Sequence, residues 1–182
     1  MSQQHPEPDD LLVLACRQGD AAALESLLTR WQERLWRHAL RLTGDSEAAW
    51  DVLQDSLLAI ARQIGRLESD SAFGVWAYRI TRNKANDWVR RHIRRREREA
   101  FYSRARCEES PDPDESLPNT DLLQRLVKRL PPAEQILLAL RFTEGFTNDE
   151  IAQMLGIPAG TVKSRLHTLR QRLRTLMENS HE

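Results

Sequence analysis

The chain of 182 residues is poor in reactive groups. Its two cysteines, Cys16 and Cys107, stand far apart, and no C-x-x-C pair or Cys/His cluster offers zinc spacing. They read as reduced thiols of a cytosolic protein. Histidines 5, 38, 92, 167 and 181 are scattered, with no nucleophile–base pair and no ligand set. An enzyme such as a hydrolase, a metal site and a bound cofactor are therefore not expected. No apolar run approaches the roughly 20 residues of a membrane span. The opening "MSQQHPEPDD" has no basic n-region and no apolar core of a signal peptide. A cytoplasmic protein without membrane insertion is expected. Period-2 alternation is almost absent, which argues against strands and for an all-α fold.

Net charge is zero, yet the charges are sorted along the chain. Residues 76–106 carry eleven bases against three acids, a net of +8. Residues 107–121 carry six acids and no base, and residues 159–177 five bases and no acid. Residues 1–75 are net −5. Two basic blocks separated by an acidic one suggest nucleic acid as partner.

Cap and turn residues divide the helices. Asp9 or Asp10 can start a first helix, and Asp20 a second that ends at Gly44. Asp45 or Ser46 caps a third running to about Ile64, with Trp50, Leu53, Leu57, Ile60 and Ile64 as its expected apolar stripe. The run "SDS" at 69–71 precedes a fourth helix from Ala72 to beyond Arg96. The stretch "CEESPDPDESLPN" (107–119) has three prolines and little to bury, so it reads as a flexible acidic linker. A helix starting at Asn119 or Thr120 ends near Leu130, and Pro131–Pro132 opens another that carries Ile136, Leu137, Leu140 and Phe142. The expected architecture is two small helical domains, 1–104 and 120–182, joined by the linker 105–119.

"FTNDEIAQMLGIPAGTVKSRLHTLRQRLR" is the most specific stretch. Thr147 and Glu150 have capping-box spacing. Ile151, Ala152 and Leu155 form the inner face of a short helix. Gly156 supplies the turn, and Pro158 opens the next helix. Short helix, tight turn and second helix make a helix-turn-helix, which sets its second helix in a DNA major groove. Val162, Leu166, Leu169, Leu173 and Leu176 line the inner side of that helix. Its early outer residues, Thr161, Lys163, Ser164, Arg165 and His167, are placed to reach base edges, and Arg170 to reach phosphate.

"AFGVWAYRITRNKANDWVRRHIRRR" is aromatic on one side and basic on the other. Phe73, Trp76, Ala77, Ile80 and Trp88 cluster, while Tyr78, Arg79, Arg82, Asn86 and Arg90 lie away from them. Arginines beside aromatics suit a single DNA strand, held by its backbone with bases splayed out. "WDVLQD" (50–55) does the opposite. Asp51, Gln54 and Asp55 share one helix face, which is acidic and unsuited to DNA.

In this order, these motifs resemble the extracytoplasmic-function (ECF) sigma factors of the bacterial sigma family, over nearly the whole chain. The resemblance implies a non-enzymatic protein that binds core RNA polymerase, recognises −10 and −35 promoter elements and promotes initiation. It implies that Asp51, Gln54 and Asp55 dock on the clamp of the largest polymerase subunit. It places Ser69, Asp70, Phe73, Trp76, Arg79, Arg82, Asn83, Asn86 and Arg90 at the −10 element. Thr161, Lys163, Ser164, Arg165, His167 and Arg170 fall at the −35 element. Two positions depart from the family pattern. "AAWD" (48–51) stands where many members have an acidic quartet, so Trp50 replaces a carboxylate. Thr168 stands where many carry an arginine. The free chain is expected to bind duplex DNA poorly, with the acidic linker or an anti-sigma factor wedged between the domains keeping it so. The competing reading is a stand-alone helix-turn-helix regulator of duplex operators, which needs neither the carboxylate face nor the aromatic-basic helix.

Overall fold

The computed structural model describes residues 9–102, 126–127 and 129–178, and among these every regular element is helical. Helix α1 (Asp9–Arg17) buries Leu12, Val13 and Cys16. A turn through Gly19 (φ 93°) leads to Asp20, whose carboxylate accepts hydrogen bonds from the Ala22 and Ala23 amides at 2.8 and 3.1 Å. This cap starts α2 (Ala21–Thr43), which ends on left-handed Gly44. Asp45 then accepts from Ala48 N at 2.7 Å and starts α3 (Ser46–Gln63). Two short 3-10 turns, Ile64–Arg66 and Asp70–Ala72, lead into the long α4 (Phe73–Tyr102).

Helices α2, α3 and α4 pack together, with α1 across α2. Leu27, Trp31 and Leu35 recur at four-residue spacing and face Leu53, Ile60, Phe73 and Tyr78. Trp31 meets Phe73 edge-to-face at 5.2 Å. Further along, Ala39, Ala49, Val52 and Ala85 form a second buried cluster whose small side chains let three helices approach closely. Each fully buried Leu or Phe stabilises the fold by about 1.5–3 kcal/mol.

In the second unit, Leu126 and Leu130 are buried ahead of α5 (Pro132–Leu138), which is continued by one wider turn over Ala139–Thr143. In α6 (Asn148–Leu155), Thr147 Oγ1 accepts from Glu150 N while the Glu150 carboxylate accepts from Thr147 N at 2.7 Å, the capping box. Gly156 (φ 63°) turns the chain, and α7 (Ala159–Glu178) follows. Val162, Leu166, Leu169 and Leu173 are buried with Ile136, Leu140, Ile151 and Met154.

The two units pack on one another, α5 against α2 and α6 against α4. Arg34 Nε donates to Glu144 Oε2 at 2.7 Å. Phe146 meets Tyr78 edge-to-face at 5.3 Å. Gly74 is the point of closest approach: a Cβ there would lie 2.9 Å from the Trp31 ring and 3.3 Å from Phe146.

Four expectations of burial change, the first being Tyr78, which lies in the core against Trp31 and Phe146. Trp50 is 51% exposed and Phe142 57% exposed, and Leu176 lies at the exposed end of α7. The buried arc of α3 is Ala48, Ala49, Val52, Leu53, Ser56 and Ile60. At about 100° per residue, Trp50 stands about 120° from the middle of that arc. Phe142 is two residues past buried Leu140, about 200° round a helix, and the Arg170 guanidinium lies 5.6 Å from its ring.

Candidate nucleic-acid and protein interfaces

The cap at Asp45 sets the rotation of α3, and that rotation turns Asp51, Gln54 and Asp55 to solvent on one face. Among the described residues, neither carboxylate has an ion-pair partner. Trp50 and Leu58 are exposed on the same side.

The candidate single-strand surface runs from the 3-10 turn along α4. Ser69 is exposed, its hydroxyl 3.0 Å from that of Ser71. Asp70 accepts from Arg17 at 2.8 Å, which ties the turn to α1. Trp76 is half-buried against Phe73, ring centroids 6.0 Å apart. Arg79, Asn83 and Arg90 are exposed. Phe73 is different: at 1% exposure under Trp31 it belongs to the core, and it leaves the set of base-stacking candidates. The side chains of residues 94–102 and the acidic linker lie outside the described residues, as does Cys107.

The helix-turn-helix brings Lys163, Ser164, Arg165, His167 and Arg170 to the outer face of α7, all exposed, with Thr161 half-buried. Ser164 Oγ donates to Thr161 O at 3.1 Å and Thr168 Oγ1 donates to Ser164 O at 3.1 Å. Both hydroxyls therefore lie close to the helix and leave Lys163 and Arg165 as the long reaching groups. Lys163, Ser164, His167 and Arg170 line a concavity of about 440 Å³ together with Arg141 and Asn148. Those last two escape sequence reasoning. Arg141 sits in the wider turn after α5, held by its bond to Phe146 O at 2.8 Å, and nothing local places it beside α7.

The two candidate DNA surfaces also face each other. Arg82 and Asn86 of α4 line one wall of a cleft of about 670 Å³, and Ser164, Arg165, Thr168 and Arg172 line the other. Its floor includes Leu42, Ile136, Leu155 and Leu169. Arg82 spans the cleft and donates to Met154 O at 3.3 Å.

Near this junction sit buried polar groups. His38 packs edge-to-face on Tyr78 at 4.8 Å, and burial, with Arg41 and Arg82 nearby, pushes its pKa down to about 3. Burial and then the Glu144 carboxylate push the Tyr78 phenol well above its ordinary range. Burial also lowers the pKa of Arg41. These groups serve packing, with His38 neutral and Tyr78 protonated.

Two family models match the chain in order: sigma-70 region 2 over residues 27–96, and sigma-70 region 4 over residues 120–173. The chain belongs to the sigma-70 family, in its ECF class. It is similar to ECF RNA polymerase sigma factor SigE of Mycolicibacterium smegmatis (34% identical over 164 residues, 86% of this chain) and spans 63% of that protein's length. It is 27% identical to the RNA polymerase sigma-H factor of Pseudomonas aeruginosa and 29% identical to the ECF sigma-E factor of Escherichia coli K12. Those matches cover 91% and 90% of this chain and 91% of either relative. The fold matches CnrH in its complex with the cytosolic domain of CnrY (TM-score 0.62, 21% identity, 94% of this chain and 97% of that one). It also matches the sigma factor RpoE of Bartonella quintana in complex with the anti-sigma factor NepR (TM-score 0.62, 24% identity, 85% and 96%). In this sigma factor most of α2, all of α3 and most of α4 fall within the region 2 match, and α6 with most of α7 within the region 4 match. Among the described residues, no helix is long and apolar enough to cross a membrane.

Proposed function

We propose that this sigma factor binds core RNA polymerase through α3, brings it to promoters through the two basic helices, and assists duplex opening without catalysing a covalent step. Asp51, Gln54 and Asp55 make the polymerase contact. Ser69, Asp70, Trp76, Arg79, Arg82, Asn83, Asn86 and Arg90 serve the −10 element, and Thr161, Lys163, Ser164, Arg165, His167 and Arg170 the −35 element. Residues 1–104 and 120–182 act as separate units on either side of the linker 105–119.

The observation that supports this most is the coexistence, on one chain and in family order, of a partner-free carboxylate face and two basic helices of different kinds. An operator-binding regulator does not require a face that repels DNA. In a sigma factor it meets basic groups on polymerase. The energetics agree. Base capture from the single strand offsets part of the unpairing energy, and stacking contributes about 1–3 kcal/mol per base. Each promoter contact is modest alone, and polymerase joins the two by holding both units at fixed spacing. The regions facing each other across the cleft support weak DNA binding by the free chain, as does a partner of the anti-sigma type. In the free cytoplasmic chain, closure would hide part of both sets.

The test is reconstitution with core polymerase. Promoter-directed transcripts appear only when the chain is added. Tight operator binding by the chain alone, with no effect on core, would reject this reading in favour of a stand-alone regulator.

A further inference from the structure

Trp50 is the largest side chain left half-uncovered on α3, at 51% exposure. One exposed indole is ordinary, but Trp50 does not stand alone: Leu58 is exposed on the same helix, and adjoining exposed apolar side chains mark interaction surfaces. Trp50, Gln54 and Leu58 follow one another at four-residue spacing, and Leu58 is 54% exposed. Asp51 and Asp55 are exposed to one side of this row, about 60° and 100° round the helix from Gln54. The Trp50 ring is also braced. It rests on Trp36, centroids 5.6 Å apart and planes 38° apart, and Trp36 in turn packs on the buried Ala39–Ala49–Val52–Ala85 cluster. A ring held in place loses little conformational freedom on docking, which is the character of a binding hot spot.

We propose that Trp50 is the aromatic anchor of the polymerase-docking face, and that its counterpart is an arginine on a basic helix of the partner. The proposal rests on the docking role given to α3 above. A guanidinium is the group that satisfies both chemistries of this face at once. Its edge pairs with the neighbouring Asp51 carboxylate, and its flat side lies on the indole. The contact with the indole is apolar and π-bearing, so it is screened less by salt than the carboxylate contacts beside it.

The test measures the affinity of the full chain for purified core polymerase at two salt concentrations. The proteins are wild type, Trp50→Ala, Trp50→Leu, Trp50→Phe and the Asp51→Arg/Asp55→Arg double variant. Trp50→Ala is expected to bind on the order of 30-fold more weakly, with an unchanged circular dichroism spectrum. Trp50→Phe should recover most of that loss and Trp50→Leu only part, since leucine keeps bulk without a π face. Leucine equal to wild type would overturn the guanidinium assignment. Trp50→Ala within twofold of wild type, with the charge-reversed variant inactive, would overturn the anchor while the docking role of α3 stands. Wild-type affinity in both would remove the docking role itself. Should Trp50→Ala fold poorly, the Phe-versus-Leu order decides alone.

Discussion

The junction between the two units can be tested through one ion pair. Glu144 has a side chain only 5% exposed and takes a 2.7 Å bond from Arg34, whose own side chain is 32% exposed. Arg34 also lies 4.3 Å over the Trp31 ring, and Glu144 also acts on the Tyr78 phenol, so each single deletion removes a contact besides the ion pair. A double-mutant cycle separates them, because the ring contact is lost equally in both arms that delete Arg34. An exposed pair contributes roughly 0–1 kcal/mol, and breaking a fully buried one costs roughly 3–5 kcal/mol. With one buried partner and one partly hydrated, the coupling should be about 2 kcal/mol, about 30-fold in the docking equilibrium. Energy transfer between dyes at exposed positions 29 and 153, followed in urea, reads docking directly. The single variants should also bind a −35 duplex more tightly than wild type, since opening frees Ser164 and Arg165 from the cleft. A coupling below about 0.3 kcal/mol, within the scatter of independent sites, would show that the pair does not hold the units together.

Further outcomes follow from other residues. Asp51→Arg with Asp55→Arg should abolish core binding, with helix content by circular dichroism unchanged; retained affinity would reject the assignment of α3. Lys163→Ala should weaken −35-dependent transcription by about tenfold, the scale of one lost base or phosphate contact, without altering core affinity. Gly74→Ala places a methyl 2.9 Å from Trp31 and should destabilise by about 1–3 kcal/mol; an unchanged melting temperature would mean that the rings yield. His38 titrates near its ordinary 6.5 when unfolded and at about 3 when folded. The unfolded chain therefore takes up the proton first as pH falls, and stability present above pH 6.5 is lost on the way down to about 3. Wild type should lose about 2 kcal/mol more than His38→Asn between pH 7 and pH 5 in urea unfolding; equal losses would show that the folded ring is already protonated.

Local chemistry was sufficient wherever a helix begins or ends. Asp20, Asp45 and the Thr147–Glu150 box act within three residues of their own position, so the sequence pattern and the hydrogen bonds coincide. Gly44 and Gly156 likewise take the left-handed conformation that ends a helix. The inner face of α7 follows its leucine spacing as far as Leu173. Spacing does not decide burial that depends on distant neighbours. Phe73 opens the aromatic-basic helix and by position could meet a base, but Trp31, 42 positions earlier, covers it. Trp50 joins a row of large apolar residues on a wheel, yet the small residues Ala49 and Ser56 mark the true inner arc, because they admit the adjoining helices.

The sequence by itself determined the helices, their caps, the carboxylate face, the two basic helices and the family. Each depends on spacing along one helix or on a short ordered motif. Tertiary structure alone decided which aromatics are reachable and how the units meet. It buried Phe73, left Trp50 on the surface beside Asp51, brought Arg141 to the recognition helix and set Arg82 across a cleft from Arg165. Those outcomes depend on contacts between segments distant in the chain, where side-chain size on one helix sets what another can cover. No periodicity within a single helix carries that information.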